Sequence, residues 1–208
     1  MDYSVETLKE EIRVALDQNR DDSTLLAGTG DVDTLALEKI IENKIADAVR
    51  IVESNAAHYL LDGGKSFAEL DVVKKGKAGQ IVLPTDFMRL VAFKMTDWSY
   101  GVTTPISDDD PTYAQQHRRY GGVSGNPQRP VVAIVERPAG LTLEFFTSSG
   151  TVEYAGYIAM PKITEGSIAI CEKLKPAVVY YAAYMTALGC GEKQLAEGLL
   201  SEAETLMK

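Results

Sequence analysis

Apolar positions recur at helical spacing near both ends of the chain and at strand spacing in its middle. Val5, Leu8, Ile12 and Leu16 share one face of a helix predicted over Val5 to Asn19, with Ser4 placed to cap it. The polar run from Arg20 to Asp33 contains Gly28 and Gly30 and reads as a loop. Asp33 or Thr34 then caps a long helix reaching to about Leu61. Its stripe is Leu37, Ile40, Ile41, Ile45, Ala48, Val49, Val52, Ala56, Tyr59 and Leu60, and Gly63 and Gly64 supply a left-handed stop. Further on, Pro176 suits the start of a helix whose apolar face is Val179, Tyr180, Ala183, Tyr184, Ala187 and Leu188. Ala182, Ala183 and Ala187 allow a neighbouring helix to come close. Gly189-Cys190-Gly191 interrupts the pattern, which resumes from Glu192 to Met207 on Leu195, Leu199, Ala203 and Leu206.

The middle is rich in β-branched and aromatic residues. Val131 to Glu136, Leu141 to Thr147 and Val152 to Ala159 are separated by Pro138-Ala139-Gly140 and Ser148-Ser149-Gly150, spacings so tight that the strands should pair as antiparallel hairpins. Shorter strands are expected at Glu69 to Val73 and Gln80 to Leu83. Between Ile81 and Met95 an apolar run stops at Pro84, turns through Thr85 and Asp86, and restarts at Phe87. Pro84 has a fixed φ and no N–H, which suits the first position of a short helical turn. Helices first, strands next and helices last make the fold class α+β. The expected arrangement is a bundle of long N- and C-terminal helices, a central antiparallel β-sheet or hairpin region, and a long extended loop. One domain over 1–208 would contain helices at 1–64 and 173–208, β structure at 65–96 and 131–161, and the loop at 97–130.

That loop, Asp97 to Pro130, has little periodicity yet carries Trp98, Tyr100, Tyr113 and Tyr120. Loops beyond about 15 residues are uncommon in compact domains and tend to be functional or disordered. Aromatic residues argue against disorder, so a loop ordered by a partner is expected. Its charge is segregated as well, with Asp108, Asp109 and Asp110 followed by His117, Arg118 and Arg119.

Composition narrows the function classes. The 208 residues are 45% hydrophobic and 25% charged, which is ordinary globular material. A formal net charge of −9 argues against a reader of nucleic-acid sequence, which needs a basic face to replace counterions. The same acidity suits a surface past which DNA slides without sticking. Cys171 and Cys190 lack metal spacing and are too few for a disulfide framework, so reduced thiols are expected. No apolar run approaches the roughly 18 residues of a membrane span, and the start, Met-Asp-Tyr-Ser, has no signal core. The expectation is a protein made in the cytoplasm with no membrane partner.

Catalytic signals fail one by one. Gly63-Gly64-Lys65-Ser66 ends like a phosphate loop, but Tyr59 stands where the first glycine belongs and a helix, not a strand, precedes it. His58 belongs to the long helix, and His117 beside two arginines is a poor metal ligand. There is no Gly-x-Ser-x-Gly elbow and no His-x-x-x-His pair. Three consecutive aspartates do not by themselves make a cation cage and read as a solvated tip. The chain is expected not to be an enzyme and to hold no cofactor or metal.

A series of pieces then runs in a particular order. It begins with Leu83-Pro84-Thr85-Asp86-Phe87-Met88-Arg89-Leu90, continues through Val91 to Lys94, and reaches Asp97-Trp98. Tyr113-Ala114-Gln115-Gln116, Arg119-Tyr120-Gly121 and Arg129-Pro130-Val131-Val132 follow. Tyr157-Ile158-Ala159-Met160-Pro161 closes the β segment, and the Ala/Tyr-rich helix Val178 to Leu188 precedes Gly191-Glu192 and a last helix with Ala196, Glu202 and Ala203. In this order the chain from about residue 80 to 208 resembles the head-to-tail adaptor proteins of tailed bacteriophages, also called connector, neck-ring or tail-tubular proteins. Residues 1–79 are less typical, and Asp108 to Asp110 and Gly121 to Asn126 are local departures.

The resemblance implies a structural virion protein at the portal vertex, made in the host bacterial cytoplasm. It implies a ring of about a dozen copies, a dodecamer to match portal symmetry, docked on the portal protein and offering a platform to further tail or neck proteins. DNA would pass through the ring without sequence-specific binding. Under this reading the long loop reaches a neighbour, and its candidate intersubunit contacts are Trp98, Tyr100, Tyr113, Gln115, Arg118, Arg119 and Tyr120, with Trp98 and Tyr120 as anchors. Competing expectations are another tail-completion or tail-terminator virion protein, and a soluble ligand-binding domain or an enzyme without a visible site.

Overall fold

A computed structural model describes residues 1–18, 32–62, 64–117, 124–147 and 150–208. Strand β1 (Asp2–Ser4) leads into helices α1 (Val5–Gln18) and α2 (Val32–Asn55). Strands β2 (Lys65–Ser66), β3 (Val73–Lys75), β4 (Ala78–Val82) and β5 (Phe87–Met95) precede a short helix α3 (Pro111–Gln116). Strands β6 (Val132–Arg137), β7 (Gly140–Phe145), β8 (Val152–Ala159) and β9 (Ser167–Ala169) come next, and helices α4 (Lys175–Gly189) and α5 (Lys193–Leu206) end the order. The fold is α+β with antiparallel sheets, as the periodicities predict. The predicted loop from Arg20 to residue 31, the stop at Gly63 and the turn at Ser148-Ser149 lie outside the described residues. The hairpin expected of Leu141–Thr147 with Val152–Ala159 is not formed, since β7 pairs with β4 and β6 while β8 pairs with β2 and β5. The chain divides into two compact units, Met1–Asp62 with Met160–Lys208, and Gly63–Ala159.

In the first unit α4 packs against α1, α2 and α5. The predicted stripes are the buried ones: Val5, Leu8, Ile12 and Leu16 on α1, and Ile41, Ile45, Ala48, Val49 and Val52 on α2. Helix α4 is buried over more of its circumference than a single stripe, at Ala177, Val178, Val179, Ala182, Ala183, Thr186 and Ala187. Three packing partners explain the width of that face, and small side chains let them approach. Leu188, placed on the apolar face by the pattern, is exposed. Helix α2 ends at Asn55, short of Leu61. The Asn55 amide donates to the Ile51 carbonyl at 2.8 Å, a competing bond of the kind that weakens a helix end. The Ala57 N–H then leaves the helix for the Met207 carbonyl at 2.8 Å. Tyr59, read as part of the stripe, is 67% exposed, and its hydroxyl donates to the Lys208 carbonyl.

Two carboxylates tie the end of α2 to the start of α4. Glu53 accepts the Cys171 N–H at 2.8 Å, and Asp62 accepts the Glu172 N–H at 2.6 Å. These donors open the 3₁₀ turn Glu172–Leu174 that feeds α4, where free N–H groups favour an anion. Burial pushes the Glu53 carboxyl above its ordinary range. Burial, with the Glu53 charge adding to it, pushes the Cys171 thiol up to about 12. Both cysteines are free thiols, Cys171 buried and Cys190 exposed. Strand β1 pairs with β9 in the register Tyr3↔Ile168. Among the described residues no helix is long and apolar enough to cross a membrane.

The second unit holds two antiparallel sheets, in the orders β2-β8-β5 and β3-β4-β7-β6. Side chains from both fill one core: Leu90, Phe93, Met95, Ala155 and Tyr157 from the first sheet, and Ile81, Val132, Leu143 and Phe145 from the second. Phe93 lies at its centre, with ring centroids 6.1 Å from Phe67, 5.5 Å from Trp98 and 5.0 Å from Phe145. The β6–β7 hairpin turns at Pro138-Ala139 as its spacing predicts, with Arg137 opposite Gly140. The strand expected at Glu69–Val73 is shifted to Val73–Lys75. Before it the chain makes a turn, with Leu70 N–H bonded to Phe67 O, because Phe67 is drawn into the core.

The segment Leu83 to Phe87 carries the chain from one sheet to the other. In place of a helical turn it forms a hydrogen-bonded β-turn, Phe87 N–H to Pro84 O at 3.0 Å. Asp86 fixes this corner by accepting from the Tyr157 hydroxyl at 2.8 Å and from Lys65 Nζ at 2.7 Å. Lys65 holds the Asp86 carboxyl below its ordinary value. Burial, then the Asp86 charge, pushes the Tyr157 phenol up to about 12.

Gly79 stands directly opposite Phe145 in the β4–β7 register, and a β-carbon there would meet the Phe145 ring at 2.3 Å. Gly198, inside α5, has nothing within 4 Å of the same position. Gly79→Ala is expected to lower stability by about 1–3 kcal/mol through displacement of the ring. Gly198→Ala is expected to raise it by about 0.5–1 kcal/mol. Urea unfolding of the two variants beside the parent chain checks both.

Candidate functional site

The segment predicted to be an extended arm is folded onto its own unit through Gln116. Trp98 turns back at once, its N–H bonded to Met95 O and its ring edge-on to Phe93 and Phe145. It is a core residue, and its placement as an exposed intersubunit anchor is corrected accordingly. Val102 exchanges two backbone hydrogen bonds with Phe93, at 2.9 and 2.8 Å, which extends the edge of β5. Ile106 then makes a parallel bridge beside β6, donating to Val132 O and accepting from Ile134 N–H, both at 2.9 Å.

Helix α3 lies over the outer face of the four-stranded sheet. Asp110 caps it, accepting from the Thr112 N–H at 2.8 Å, with Pro111 at the favoured first position. The third aspartate is thus a helix cap, while Asp108 and Asp109 are exposed. One turn apart, Tyr113 and His117 set their rings against Phe146, with centroids 6.0 and 5.2 Å away. Ala133, Val135 and Phe146 form a small apolar cluster beneath, flanked by Ile106 and Tyr113.

At the centre of this face is a buried carboxylate. Glu144 is 2% exposed. Its Oε1 accepts from Arg137 Nε at 2.9 Å, from Arg137 Nη2 at 2.7 Å and from Gln80 Nε2 at 2.9 Å. Its Oε2 accepts from the Tyr113 hydroxyl at 2.8 Å, and Arg137 Nη2 also donates to the Tyr113 oxygen at 2.7 Å. The Arg137 fork engages one carboxylate oxygen while the other holds Tyr113, so β4, β6, β7 and α3 share one ionic knot. Burial, then the Glu144 charge, pushes the Tyr113 phenol above its ordinary value. Glu144 lifts the Arg137 guanidinium too.

At the last residue of the helix, Gln116 is buried. Its Nε2 donates to Thr112 O at 3.1 Å and its Oε1 accepts the Gly125 N–H at 2.7 Å. Asn126 begins a tight turn in which its side-chain oxygen accepts from the N–H groups of Gln128 and Arg129. Of the residues expected to reach a neighbour, Tyr113 is therefore an internal latch, Gln115 is half-buried and Tyr100 is 51% exposed. Arg118, Arg119 and Tyr120 lie outside the described residues, as do Gly121 to residue 123 of the Gly121–Asn126 stretch. Sequence reasoning missed Glu144, Arg137, Gln80 and Gln116. Glu144 alternates with Leu143 and Phe145, a pattern that reads as a solvated outer face.

No group of three or more His, Cys, Asp or Glu side chains able to hold a metal occurs among the described residues. Lys65-Ser66 forms strand β2 beside β8 and no helix follows it, so it is not a phosphate loop. In the helical unit an open groove of about 450 Å³ is floored by Val14, Ala15, Val179 and Tyr180. The ion pair of Lys175 and Glu11, 2.5 Å apart, sits at its rim. That chemistry suits an apolar side chain. No protein-family model and no curated protein matches the chain.

The Glu144 knot is asymmetric, because the Arg137 side chain is 42% exposed and its partner is not. Arg137→Met strands a buried carboxylate and is expected to cost about 2–4 kcal/mol at neutral pH, against about 1 kcal/mol for Glu144→Gln. Urea unfolding of both variants beside the parent chain at neutral pH measures that gap.

Proposed function

We propose that this chain is a structural subunit of the neck of a tailed bacteriophage, a head-to-tail adaptor. In this reading about a dozen copies form a ring on the portal protein. The ring continues the DNA channel and presents a platform to the next tail or neck protein. Helices α1, α2, α4 and α5 are the terminal-helix bundle of such a subunit, and the sheet unit holds most of the residues that carry the resemblance.

The supporting observation is that those residues lean on one another. Asp86, from the Leu83–Leu90 piece, bonds Tyr157 at 2.8 Å. Trp98 packs on Phe93 at 5.5 Å between centroids, and Val132, from the Arg129–Val132 piece, joins Leu90, Trp98 and Tyr157 in one buried core. These pieces of the resemblance therefore support one core, and among the described residues none of them converges on a reacting centre. That favours a scaffold over an enzyme. Localisation to the virion neck and passage of DNA without sequence-specific contact belong to the same reading.

With Trp98 committed to the core, two of the remaining candidates are Tyr100, which is exposed, and Arg119, which lies outside the described residues. Tyr100→Ala and Arg119→Ala are expected to keep the parent thermal transition and to weaken ring assembly on purified portal particles at least tenfold. Mass measurement of the chain with and without those particles reads the assembly. A parent chain that stays monomeric and never binds portal overturns the proposal.

A further inference from the structure

The charge of this chain is unevenly divided. Positions 63–159 hold ten basic and ten acidic residues, and the rest of the chain holds eleven and twenty, so the formal charge of −9 belongs to the helical unit. Within the neutral sheet unit, Lys74, Lys75 and Lys77 are gathered at one point, the tip of the β3–β4 hairpin. Lys75 pairs with Ala78, which leaves Gly76 and Lys77 as a two-residue turn. Gly76 has φ +64, and nothing lies within 4 Å of the position a β-carbon would take there, so the tip is open on that side. Lys74 and Lys77 are exposed. Neither has an ion-pair partner among the described residues, whereas Lys65, Lys94 and Arg137 of the same unit each meet a carboxylate within 3 Å.

We propose that the β3–β4 tip is a contact for the phosphate backbone of duplex DNA, read without regard to sequence. The choice of DNA as the polyanion rests on the neck-adaptor reading. Lysines on an edge strand also discourage edge-to-edge pairing, and Lys74 on β3 would serve that purpose. Lys77 lies past the paired residues, in the turn, where no strand edge needs protection. Lys77 at the apex of a tight turn reaches further from the sheet than a strand position, with Lys74 behind it on β3, and can meet a closely spaced row of phosphates. With at most three charges per copy the contact is weak and short-lived, which suits DNA that has to move.

The test is a titration of the full chain with a short duplex of arbitrary sequence, followed by amide chemical shifts. The expected result is shifts centred on Lys74 to Lys77, with a dissociation constant that rises roughly 10- to 40-fold between 50 and 200 mM salt, as neutralising two to three phosphates requires. The triple variant K74Q/K75Q/K77Q should lose those shifts while still assembling on portal particles. Shifts at Arg118 to Tyr120 with a silent tip overturn the proposal. So does a tip that answers to polyglutamate and not to DNA, or a triple variant that aggregates with its DNA response intact. Each of these results is independent of whether the parent chain assembles on portal, so failure here and failure of the adaptor reading are told apart.

Discussion

Phe93 and the rings around it set the terms for the whole sheet unit. Two twisted sheets face each other there, and the space between them is filled by Phe67, Phe93, Trp98, Phe145 and Tyr157, each in edge-on, stacked or tilted contact with another. Aromatic pairs at such distances add about 0.5–1.5 kcal/mol beyond the area they bury. The larger effect is topological. Gly79 is bare because Phe145 lies over it. Strand β5 has three register irregularities against β8, at Phe87/Arg89, Leu90/Ala92 and Lys94/Met95, which bend it as it runs along the core. Trp98, three residues past the end of that strand, folds back into the cluster, and this reversal decides the path of everything up to α3.

Charge plays a second, separate role inside the molecule. Glu144 and Glu53 are both nearly inaccessible, and both serve as ties between elements distant in sequence. One gathers α3 onto the sheet, and the other holds the beginning of α4 to the end of α2. Buried charges of this kind are weak sources of net stability and act mainly by penalising alternative arrangements in which they lose their partners. Both ties therefore hold position more than they add stability.

Much of this fold was legible along the chain because it rests on period. The stripes of α1, α2 and α5 and the β6–β7 hairpin follow from local spacing, and the structure shows them close to where that spacing places them. The failures share a cause. The end of α2 is decided by a side-chain bond at Asn55 and by a carbonyl at Met207, far away in sequence. Aperiodic chain between Asp97 and Gln116 looked like an arm because two of its partners, Val132 and Glu144, are remote in sequence. An outward-facing glutamate and a glutamine at the end of a short helix carry no local sign that they will be buried. Aromatic content was the correct clue that this stretch is ordered, but it could not say by what.

Cys171 and Cys190 give the helical unit two very different thiols. Cys190 is open to solvent at the junction of α4 and α5 and is free to react. Cys171 is shut in beside Glu53 at the entrance to α4 and, with its pKa pushed up to about 12, presents almost no thiolate at neutral pH. A thiol reagent reaches it when the α2–α4 tie comes apart. The second, slower phase of labelling is then a clock for that opening, and its ratio to the labelling rate of the unfolded chain converts directly into the free energy of the open state.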